Sequence, residues 1–270
     1  MSFSRLVVSD VDGTLVDKKK ALTPATIAAV DRLRAAGVGF TIISARPRSG
    51  LMPVADALGL DAAIGAFNGG LIFRRDGAIL FHQRLAADVA CSVLALANGA
   101  AVDTWVFADD QWYATDGAGP HTASERVTSD QEPVVRSDFA DLVARIDKIT
   151  FVSDDEALLR ELAASVRREI ADDRATIVQS QAYYLDVTAP AGNKGDGIAR
   201  LAETFGVALA DTLAIGDQAN DLAMFRRTGR SIAMGQGPQA VRDAADQVTL
   251  GNDQDGVAHA IDTMILEHIA

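Results

Sequence analysis

Short apolar runs alternate with amphipathic segments along the first sixty residues of the chain. An apolar run at residues 6–9 is followed by a helical pattern that starts at Thr23-Pro24 and ends at Gly37, and an apolar run at 38–44 precedes a helical pattern at 47–58. Thr and Pro favour the start of a helix, and Gly favours its end. Strands that are apolar on both faces and alternate with helices predict a doubly wound α/β core around a parallel sheet.

The same alternation returns in the last third of the chain. Helical patterns at 195–205 and 220–226 alternate with apolar runs at 212–215 and 231–234, and a further helix, a strand and a final helix to residue 268 follow. We therefore expect both ends of the chain to contribute strands to one Rossmann-like parallel sheet.

The middle of the chain follows a different pattern. After a predicted hairpin around Asp76-Gly77, alternating runs such as 104–107 mix with two helical stretches, of which 155–170 is the clearer. Strands and helices without strict alternation are typical of an α+β module. We predict a core formed by residues 1–83 and 189–270, with an α+β domain of residues 84–188 inserted into it.

The composition excludes several classes of protein. Of 270 residues, 49% are hydrophobic and 23% are charged, which is typical of a globular chain. The net charge of −12 disfavours a nucleic-acid binder or an anionic-membrane binder, since either needs a basic face. No apolar run approaches the roughly 20 residues that span a bilayer, and residues 1–5 leave no room for a signal peptide before the first apolar run. We expect a soluble, cytoplasmic protein with no obligate protein partner.

The single cysteine, Cys91, lies in an Ala/Leu-rich helical pattern. Without a second cysteine it cannot form an intramolecular disulfide. Because free cysteines are among the most buried residue types, we predict that Cys91 is a small buried hydrophobe.

Two aspartates follow the first predicted strand, in the segment Asp10-Val11-Asp12-Gly13-Thr14. Ligands of open α/β sheets bind outside the carboxyl ends of the strands, so both carboxylates lie where chemistry is expected. Gly13 permits the tight turn that would point both side chains at one pocket. An ordinary Asp-Gly turn would use the same residues, so this segment alone does not decide between a site and a turn.

A second acidic segment, Gly216-Asp217-Gln218-Ala219-Asn220-Asp221, follows the predicted strand at 212–215. If both strands belong to one parallel sheet, the two acidic segments meet at the same edge. Carboxylates held close together need a cation, and oxygen ligands without His or Cys favour Mg²⁺. Asn220 and Asp221 are also typical of a helix start, and that structural role is compatible with a metal site.

Ser44 and Lys194 complete the set of candidate residues. Ser44 ends the second predicted strand, and with Ala45 and Arg46 it offers a hydroxyl and backbone N–H groups beside the start of a helix, which suits a phosphate oxygen. Lys194 lies at the start of the first helix after the insertion. Either residue alone is typical of an ordinary loop, and only their order along the chain suggests a site.

Together these segments resemble the haloacid dehalogenase-like superfamily of phosphohydrolases over nearly the whole chain. The segment from Asp10 to Thr14 is similar to the family's first motif, Ser44 to its second, Lys194 to its third and the segment from Gly216 to Asp221 to its fourth, in the family's order. The insertion between the second and third motifs resembles the type-two cap of the Cof-like sugar phosphatase branch. Three further segments look like that branch: Asn68-Gly69-Gly70, Ala233-Met234-Gly235 and residues 253–257.

The resemblance implies a catalytic and a metal-binding role for the acidic residues. Asp10 would be the nucleophile that forms an aspartyl-phosphate, and Asp12 would be the acid and base. Mg²⁺ would be held by the Asp10 carboxylate, the main-chain carbonyl of Asp12, and Asp217. Asp221 would act on the metal through water.

The resemblance also implies a phosphate-binding set. Together with Asp10, the phosphoryl group would be held by Ser44, the backbone of Ala45, and Lys194, whose charge would stabilise the transition state. Asn220 would orient the phosphate or the nucleophile. Arg46 follows the family's pattern, and phosphate contact and a purely structural role are equally open for it.

This chain departs from the family's pattern at two of these positions. Ala45 stands where many relatives have Gly, which keeps the backbone N–H and adds a methyl group that we expect to be tolerated. Gln236 stands where the branch often has Asn after Met-Gly. That change concerns a secondary hydrogen bond rather than the reaction.

The resemblance implies Mg²⁺-dependent hydrolysis of a small phosphorylated metabolite, with a sugar phosphate favoured by the branch. Two alternatives are a phosphohexomutase of the same superfamily and a non-enzymatic phospho-acceptor regulatory domain. Asp12 and the insertion argue against the regulatory domain. A dehalogenase is disfavoured because it would need neither Asp12 nor Asp217.

The acidity of the chain is concentrated in the insertion. Residues 84–188 contain nine Lys and Arg against nineteen Asp and Glu, which leaves the core nearly neutral. A negative lid would repel polyanions such as nucleotides and bisphosphates, so we expect small, singly phosphorylated substrates.

Overall fold

The computed structural model describes residues 5–268, and the elements predicted near the N-terminus are present. They are β1 (Leu6–Ser9), α1 (Pro24–Ala35), β2 (Gly39–Ile42) and α2 (Arg48–Ala57). The Thr23 side chain starts α1 by accepting a hydrogen bond from the N–H of Thr26, and Gly37 follows its end with φ +80°. Residues 1–4, part of the segment on which the prediction of no signal peptide rests, lie outside the described residues.

The remaining elements follow in chain order. They are β3 (Ile64–Ala66), β4 (Leu71–Phe73), β5 (Ile79–His82), α3 (Ala87–Leu96), β6 (Asp103–Ala108), β7 (Gln111–Ala114), α4 (Thr122–Ser129), β8 (Val134–Val135), β9 (Ile146–Val152), α5 (Glu156–Glu169), β10 (Thr176–Gln181), β11 (Tyr184–Thr188), α6 (Lys194–Phe205), β12 (Thr212–Gly216), α7 (Leu222–Phe225), β13 (Arg230–Ala233), α8 (Gln239–Ala244), β14 (Gln247–Val248) and α9 (Gly256–His259). Helical turns continue after α9 to His268. Within residues 5–268, no helix has both the length and the hydropathy that crossing a bilayer requires.

Both ends of the chain form one parallel sheet, as predicted. Its strand order is β14-β13-β12-β1-β2, and β1 is hydrogen-bonded to β2 on one side and to β12 on the other. At the end of β1, Ser9 lies opposite Ile42 of β2 and Ile215 of β12. Because these strands are parallel and end in register, the segments that follow them emerge at the same edge of the sheet.

The insertion contains a second sheet of its own. Strands β6 to β11 pair in the order β10-β11-β9-β6-β7-β8, and every pair except β7-β8 is antiparallel. One face of this sheet packs on α3 and α5 in an apolar cluster. From the other face, Trp105 and Phe107 of β6 join the apolar cluster of the core, where the ring of Phe107 lies 6.1 Å from that of Phe67. This arrangement confirms the predicted fold class, and the division at residues 84–188 stays a prediction.

Cys91 is exposed, so the prediction that it is buried is wrong. The buried face of α3 is formed by Val89, Ala90 and Val93, and Cys91 lies outside it. Nearly every residue of α3 is apolar or small, so the sequence contains little contrast that would show which face is buried.

Candidate active site

The edge of the parallel sheet brings the predicted residues together. Asp10 directly follows β1, Ser44 follows β2, Asp217 directly follows β12, and Lys194 is the first residue of α6. A cleft of about 700 Å³ opens at this edge, with the inserted domain as its opposite wall. The predicted residues that line it are Asp10, Asp12, Ser44, Ala45, Arg46 and Asn220.

Lys194 lies buried between two carboxylates. Its ammonium Nζ is 2.6 Å from Oδ1 of Asp10 and 2.5 Å from Oδ1 of Asp221, and its side chain has no exposed surface. Asn193 fixes the start of α6, because its side chain accepts a hydrogen bond from the N–H of Asp196 at 2.9 Å. Burial alone lowers the pKa of Lys194, but the two carboxylates outweigh it and raise the pKa above its ordinary value. The two carboxylates therefore favour the charged form of Lys194.

Three carboxylates converge beside this ammonium. Asp10, Asp217 and Asp221 are buried, and each offers an oxygen within 4.8 Å of the others. Burial, together with the charges of Asp221 and Asp217, raises the pKa of Asp10 well above its ordinary value. Burial and Asp221 raise the pKa of Asp217 to about 6. A single ammonium does not balance three carboxylates, and this oxygen-only donor set fits Mg²⁺.

Hydrogen bonds hold the acidic segments in this arrangement. Oδ2 of Asp221 accepts from the backbone N–H groups of Asp217 and Gln218, both at 2.8 Å. The hydroxyl of Thr14 donates to Oδ1 of Asp217 at 3.1 Å and so joins the first acidic segment to the second. Asp221 therefore has two roles, because one oxygen shapes its own loop and the other pairs with Lys194.

Two glycines make room for these carboxylates. Gly13 has φ +78°, and a Cβ added there would lie 2.4 Å from Oδ2 of Asp217. At Gly216, an added Cβ would lie 2.4 Å from the carboxyl carbon of Asp221. Only glycine fits at these two positions without displacing the acidic cluster.

Asp12 is paired with two cations at the mouth of the cleft. Arg46 donates to both of its oxygens, from Nε to Oδ2 at 2.7 Å and from Nη2 to Oδ1 at 2.8 Å, and Nζ of Lys20 donates to Oδ1 at 2.7 Å. Burial raises the pKa of Asp12, but Arg46 and Lys20 outweigh it and hold the pKa well below its usual range. Arg46 thus contacts the Asp12 carboxylate, and whether its role is phosphate contact or purely structural stays open.

The phosphate-binding candidates lie beside the start of α2. Ser44 is buried, and its Oγ accepts a hydrogen bond from the backbone N–H of Arg46 at 3.2 Å. Ala45 lines the cleft next to it. Oδ1 of Asn220 is buried and has no hydrogen-bond partner among the described residues. An unsatisfied buried acceptor at the wall of a cleft is consistent with a ligand group at that position.

Sequence reasoning missed several residues of the cleft. Lys20 contacts Asp12, and the inserted domain contributes Glu125, Lys148 and Asp186. The sequence does contain polar residues at alternate positions of β9 and β11, which could have indicated a cleft-facing surface. The same pattern is typical of a strand with one face in water. Gln236, the departure from the family's pattern, donates from Nε2 to the carbonyl of Gly13 at 2.5 Å, so a hydrogen bond to the first acidic segment is made.

Comparisons with known proteins agree with the geometry. The profile of the haloacid dehalogenase-like hydrolase family matches residues 7–261. Phosphoglycolate phosphatase of Methanothermobacter thermautotrophicus is 25% identical over 257 residues, which are 95% of this chain and 97% of the relative. Phosphatase YwpJ of Bacillus subtilis is 24% identical over 278 residues, which cover 94% of this chain and 98% of the relative.

Solved structures show the same architecture. A haloacid dehalogenase-like hydrolase from Bacteroides thetaiotaomicron is 26% identical, with a TM-score of 0.85 over 97% of this chain and 99% of the other. The predicted resemblance and the predicted enzyme class, a phosphatase, are thereby confirmed. The chain belongs to the haloacid dehalogenase-like hydrolases.

Proposed function

We propose that this protein is a Mg²⁺-dependent phosphomonoesterase that hydrolyses a small phosphorylated metabolite, of which a sugar phosphate is the favoured class. The observation that carries the proposal is the buried ammonium of Lys194 between Asp10 and Asp221, next to three converging carboxylates. A fixed cation and a nucleophilic carboxylate at one position are what phosphoryl transfer requires.

Asp10 is the nucleophile in the first half of the reaction. Its carboxylate attacks phosphorus, the bond from phosphorus to the leaving oxygen breaks, and a proton from the Asp12 carboxyl neutralises the departing alcohol. Lys194, Ser44 and the backbone at Ala45 bind the phosphoryl oxygens and stabilise the charge that develops on them.

Asp12 acts as the base in the second half. It takes a proton from water, the oxygen of that water attacks the aspartyl-phosphate, and inorganic phosphate leaves with the Asp10 carboxylate restored. This half needs Asp12 ionised, which is the state in which Arg46 and Lys20 hold it. The first half needs the protonated form, so these contacts must loosen as substrate binds.

Asp10, Asp217 and the main-chain carbonyl of Asp12 are the residues that would hold Mg²⁺, with Asp221 behind them. When bound, the metal would supply positive charge to the phosphoryl oxygens and offset the repulsion among the carboxylates. Asn220, with its unpartnered Oδ1, orients the phosphate or a water molecule near it.

The test is hydrolysis of p-nitrophenyl phosphate by the wild type, by Asp10→Asn and by the wild type after chelation of divalent cations. We expect Asp10→Asn to lower kcat by about 1,000-fold or more, because the nucleophile is lost, and chelation to abolish activity until Mg²⁺ is restored. Asp172→Asn, the same change at an exposed position, is the control and should retain activity. Full activity of Asp10→Asn or of the chelated enzyme would contradict the mechanism.

A second assay, with a hexose phosphate as substrate, separates the hydrolase from a mutase. Release of inorganic phosphate from a hexose phosphate without a bisphosphate activator supports hydrolysis. Transfer of the phosphoryl group to another hydroxyl, with little free phosphate, would support the mutase instead.

A further inference from the structure

The inserted domain turns one face of its sheet toward the core and the cleft, and beside the apolar Trp105 and Phe107 that face carries charged side chains. On β9, Ile149 and Phe151 belong to the apolar core of the domain, while Lys148 and Thr150, which alternate with them, line the cleft. On β11, Asp186 lines the cleft as well. Since side chains alternate along a strand, these polar residues form one surface opposite the sheet edge that holds Asp10.

Two buried carboxylates on this wall are each satisfied on one side only. Oδ1 of Asp186 accepts from the hydroxyl of Thr150 at 2.7 Å, and Oε2 of Glu125 accepts from the hydroxyl of Thr128 at 2.9 Å. Asp186 is 3% exposed and Glu125 is 7% exposed. The second oxygen of each carboxylate receives no hydrogen bond from any residue between 5 and 268. Both residues line the cleft, so these open oxygens can accept hydrogen bonds from a ligand that lies there.

On this wall Lys148 opposes these two carboxylates, and the charge of Arg46 in the core also acts on Glu125. Nζ of Lys148 lies 3.9 Å from Oδ1 of Asp186 and donates to the backbone carbonyl of Ala45 at 3.2 Å. Ala45 belongs to the proposed phosphate-binding segment, so the group formed by Glu125, Lys148 and Asp186 lies next to the phosphoryl position. The part of a substrate that reaches this wall is therefore its leaving group.

We propose that Glu125 and Asp186 select the leaving group by its charge. Their open oxygens accept hydrogen bonds from hydroxyl groups of an uncharged polyol, and their excess of negative charge over Lys148 excludes a leaving group with a second anionic group. This proposal rests on the proposed function, because it concerns the leaving group of the same reaction. The sequence alone suggested that the negative charge of the whole inserted domain repels polyanionic substrates. The present proposal assigns this selectivity to two side chains, Glu125 and Asp186.

Three phosphate esters with the same six-carbon chain test the proposal. Sorbitol 6-phosphate has a neutral polyol leaving group, 6-phosphogluconate has a carboxylate in place of the terminal hydroxymethyl group, and hexyl phosphate has no hydroxyl groups. For the wild type we expect kcat/KM to be highest for sorbitol 6-phosphate, by about 10- to 100-fold over either of the others, which is the range for hydrogen bonds to a charged group.

The decisive measurement is the ratio of kcat/KM for sorbitol 6-phosphate to that for 6-phosphogluconate. We expect Asp186→Asn to lower this ratio about tenfold, and the double variant Glu125→Gln/Asp186→Asn to reverse the preference, because Lys148 then faces the leaving group without an opposing charge. A gain on 6-phosphogluconate cannot result from misfolding. If the double variant does not fold, the single variant Asp186→Asn, which keeps Glu125 opposite Lys148, decides the question.

The control is Glu169→Gln/Asp173→Asn, which removes the same charge from exposed positions of the inserted domain. An unchanged ratio in this control supports the proposal. A shift as large as that of Glu125→Gln/Asp186→Asn would overturn it in favour of the overall charge of the domain, and an unchanged ratio in Asp186→Asn would overturn it outright.

A separate binding measurement keeps this proposal distinct from the proposed function. If the wild type hydrolyses neither these esters nor p-nitrophenyl phosphate, the proposed function fails. Binding affinities of the same three esters are then measured by calorimetry in the Asp10→Asn background. The ratio of the affinity for sorbitol 6-phosphate to that for 6-phosphogluconate decides the present proposal.

Discussion

At the scale of single residues, the acidic cluster depends on positions that have no side chain. We expect Gly13→Ala to lower the free energy of unfolding by more than about 1 kcal/mol, because alanine is strained at positive φ and its Cβ displaces Asp217. We also expect this displacement to abolish hydrolysis. Gly77→Ala is the matched control, since Gly77 has φ +92° and nothing lies within 4 Å of its added Cβ. Urea unfolding and the p-nitrophenyl phosphate assay measure both effects. Equal losses of stability with full activity in both variants would contradict this account.

The sequence predicted some site residues and missed others for a physical reason. Asp10 and Asp217 follow predicted strands and Lys194 lies at the start of a predicted helix, so the order of elements was enough to predict that they meet at one sheet edge. Glu125 and Asp186 could not be predicted. In the sequence, a polar residue of the inserted domain that faces water cannot be distinguished from one that faces a cleft. Their role depends on how the inserted domain packs on the core, which no local pattern contains.

At the scale of elements, the first turn of α6 holds Lys194 between Asp10 and Asp221. We expect Asn193→Ala to lower the free energy of unfolding by about 1 kcal/mol, because the hydrogen bond to the N–H of Asp196 is lost. We also expect kcat to fall about tenfold, because Lys194 follows directly and its position shifts. The comparison is Asp155→Ala at the start of α5, where Asp155 accepts from the N–H groups of Ala157 and Leu158 at 3.0 Å.

The two N-cap variants, Asn193→Ala and Asp155→Ala, should separate an effect on stability from an effect on activity. Both variants should unfold at lower urea concentration, and only Asn193→Ala should lose activity, since α5 lies in the inserted domain away from the phosphoryl position. Equal activity in the two variants would argue against the positioning role of α6.

Helices and strands were predicted well where the pattern had strong contrast. α1 has a defined cap at Thr23 and a terminating Gly37, and its predicted bounds agree with the structure within one or two residues. α3 lacks such contrast, so the buried face, and with it the environment of Cys91, was predicted wrongly. The predicted helix at 220–226 forms as a 3₁₀ turn followed by the short α7, because Asp221 accepts backbone hydrogen bonds from its own loop.

At the scale of the whole molecule, we expect the acidic cluster to make stability depend on pH and on Mg²⁺. Folding raises the pKa of Asp217 from 3.8 to about 6. The folded state therefore binds this proton more tightly than the unfolded state, and metal-free stability falls as pH rises from about 4 to about 6. The raised pKa of Asp10 acts in the same direction. Mg²⁺ requires the ionised carboxylates, so it should stabilise the protein more above pH 6 than below it.

Thermal unfolding with and without Mg²⁺, at pH 5 and at pH 7.5, measures this dependence. We expect the increase in Tm caused by Mg²⁺ to be larger at pH 7.5, and Asp217→Asn to remove most of that increase. At each pH, the difference in Tm between the samples with and without Mg²⁺ is independent of groups elsewhere in the chain, because these groups titrate equally in both samples. An equal increase at both pH values would contradict the assignment of these carboxylates to the metal.

The contact between Lys148 and Ala45 has an electronic consequence for the Ser44 hydroxyl. The carbonyl that receives the ammonium belongs to the same peptide group as the N–H of Arg46, which donates to Oγ of Ser44. Hydrogen bonds in series polarise one another, so a cation on the carbonyl makes that N–H a stronger donor and the Ser44 hydroxyl in turn more acidic. One polarised peptide group thus couples the charge of Lys148, in the inserted domain, to the Ser44 hydroxyl in the core.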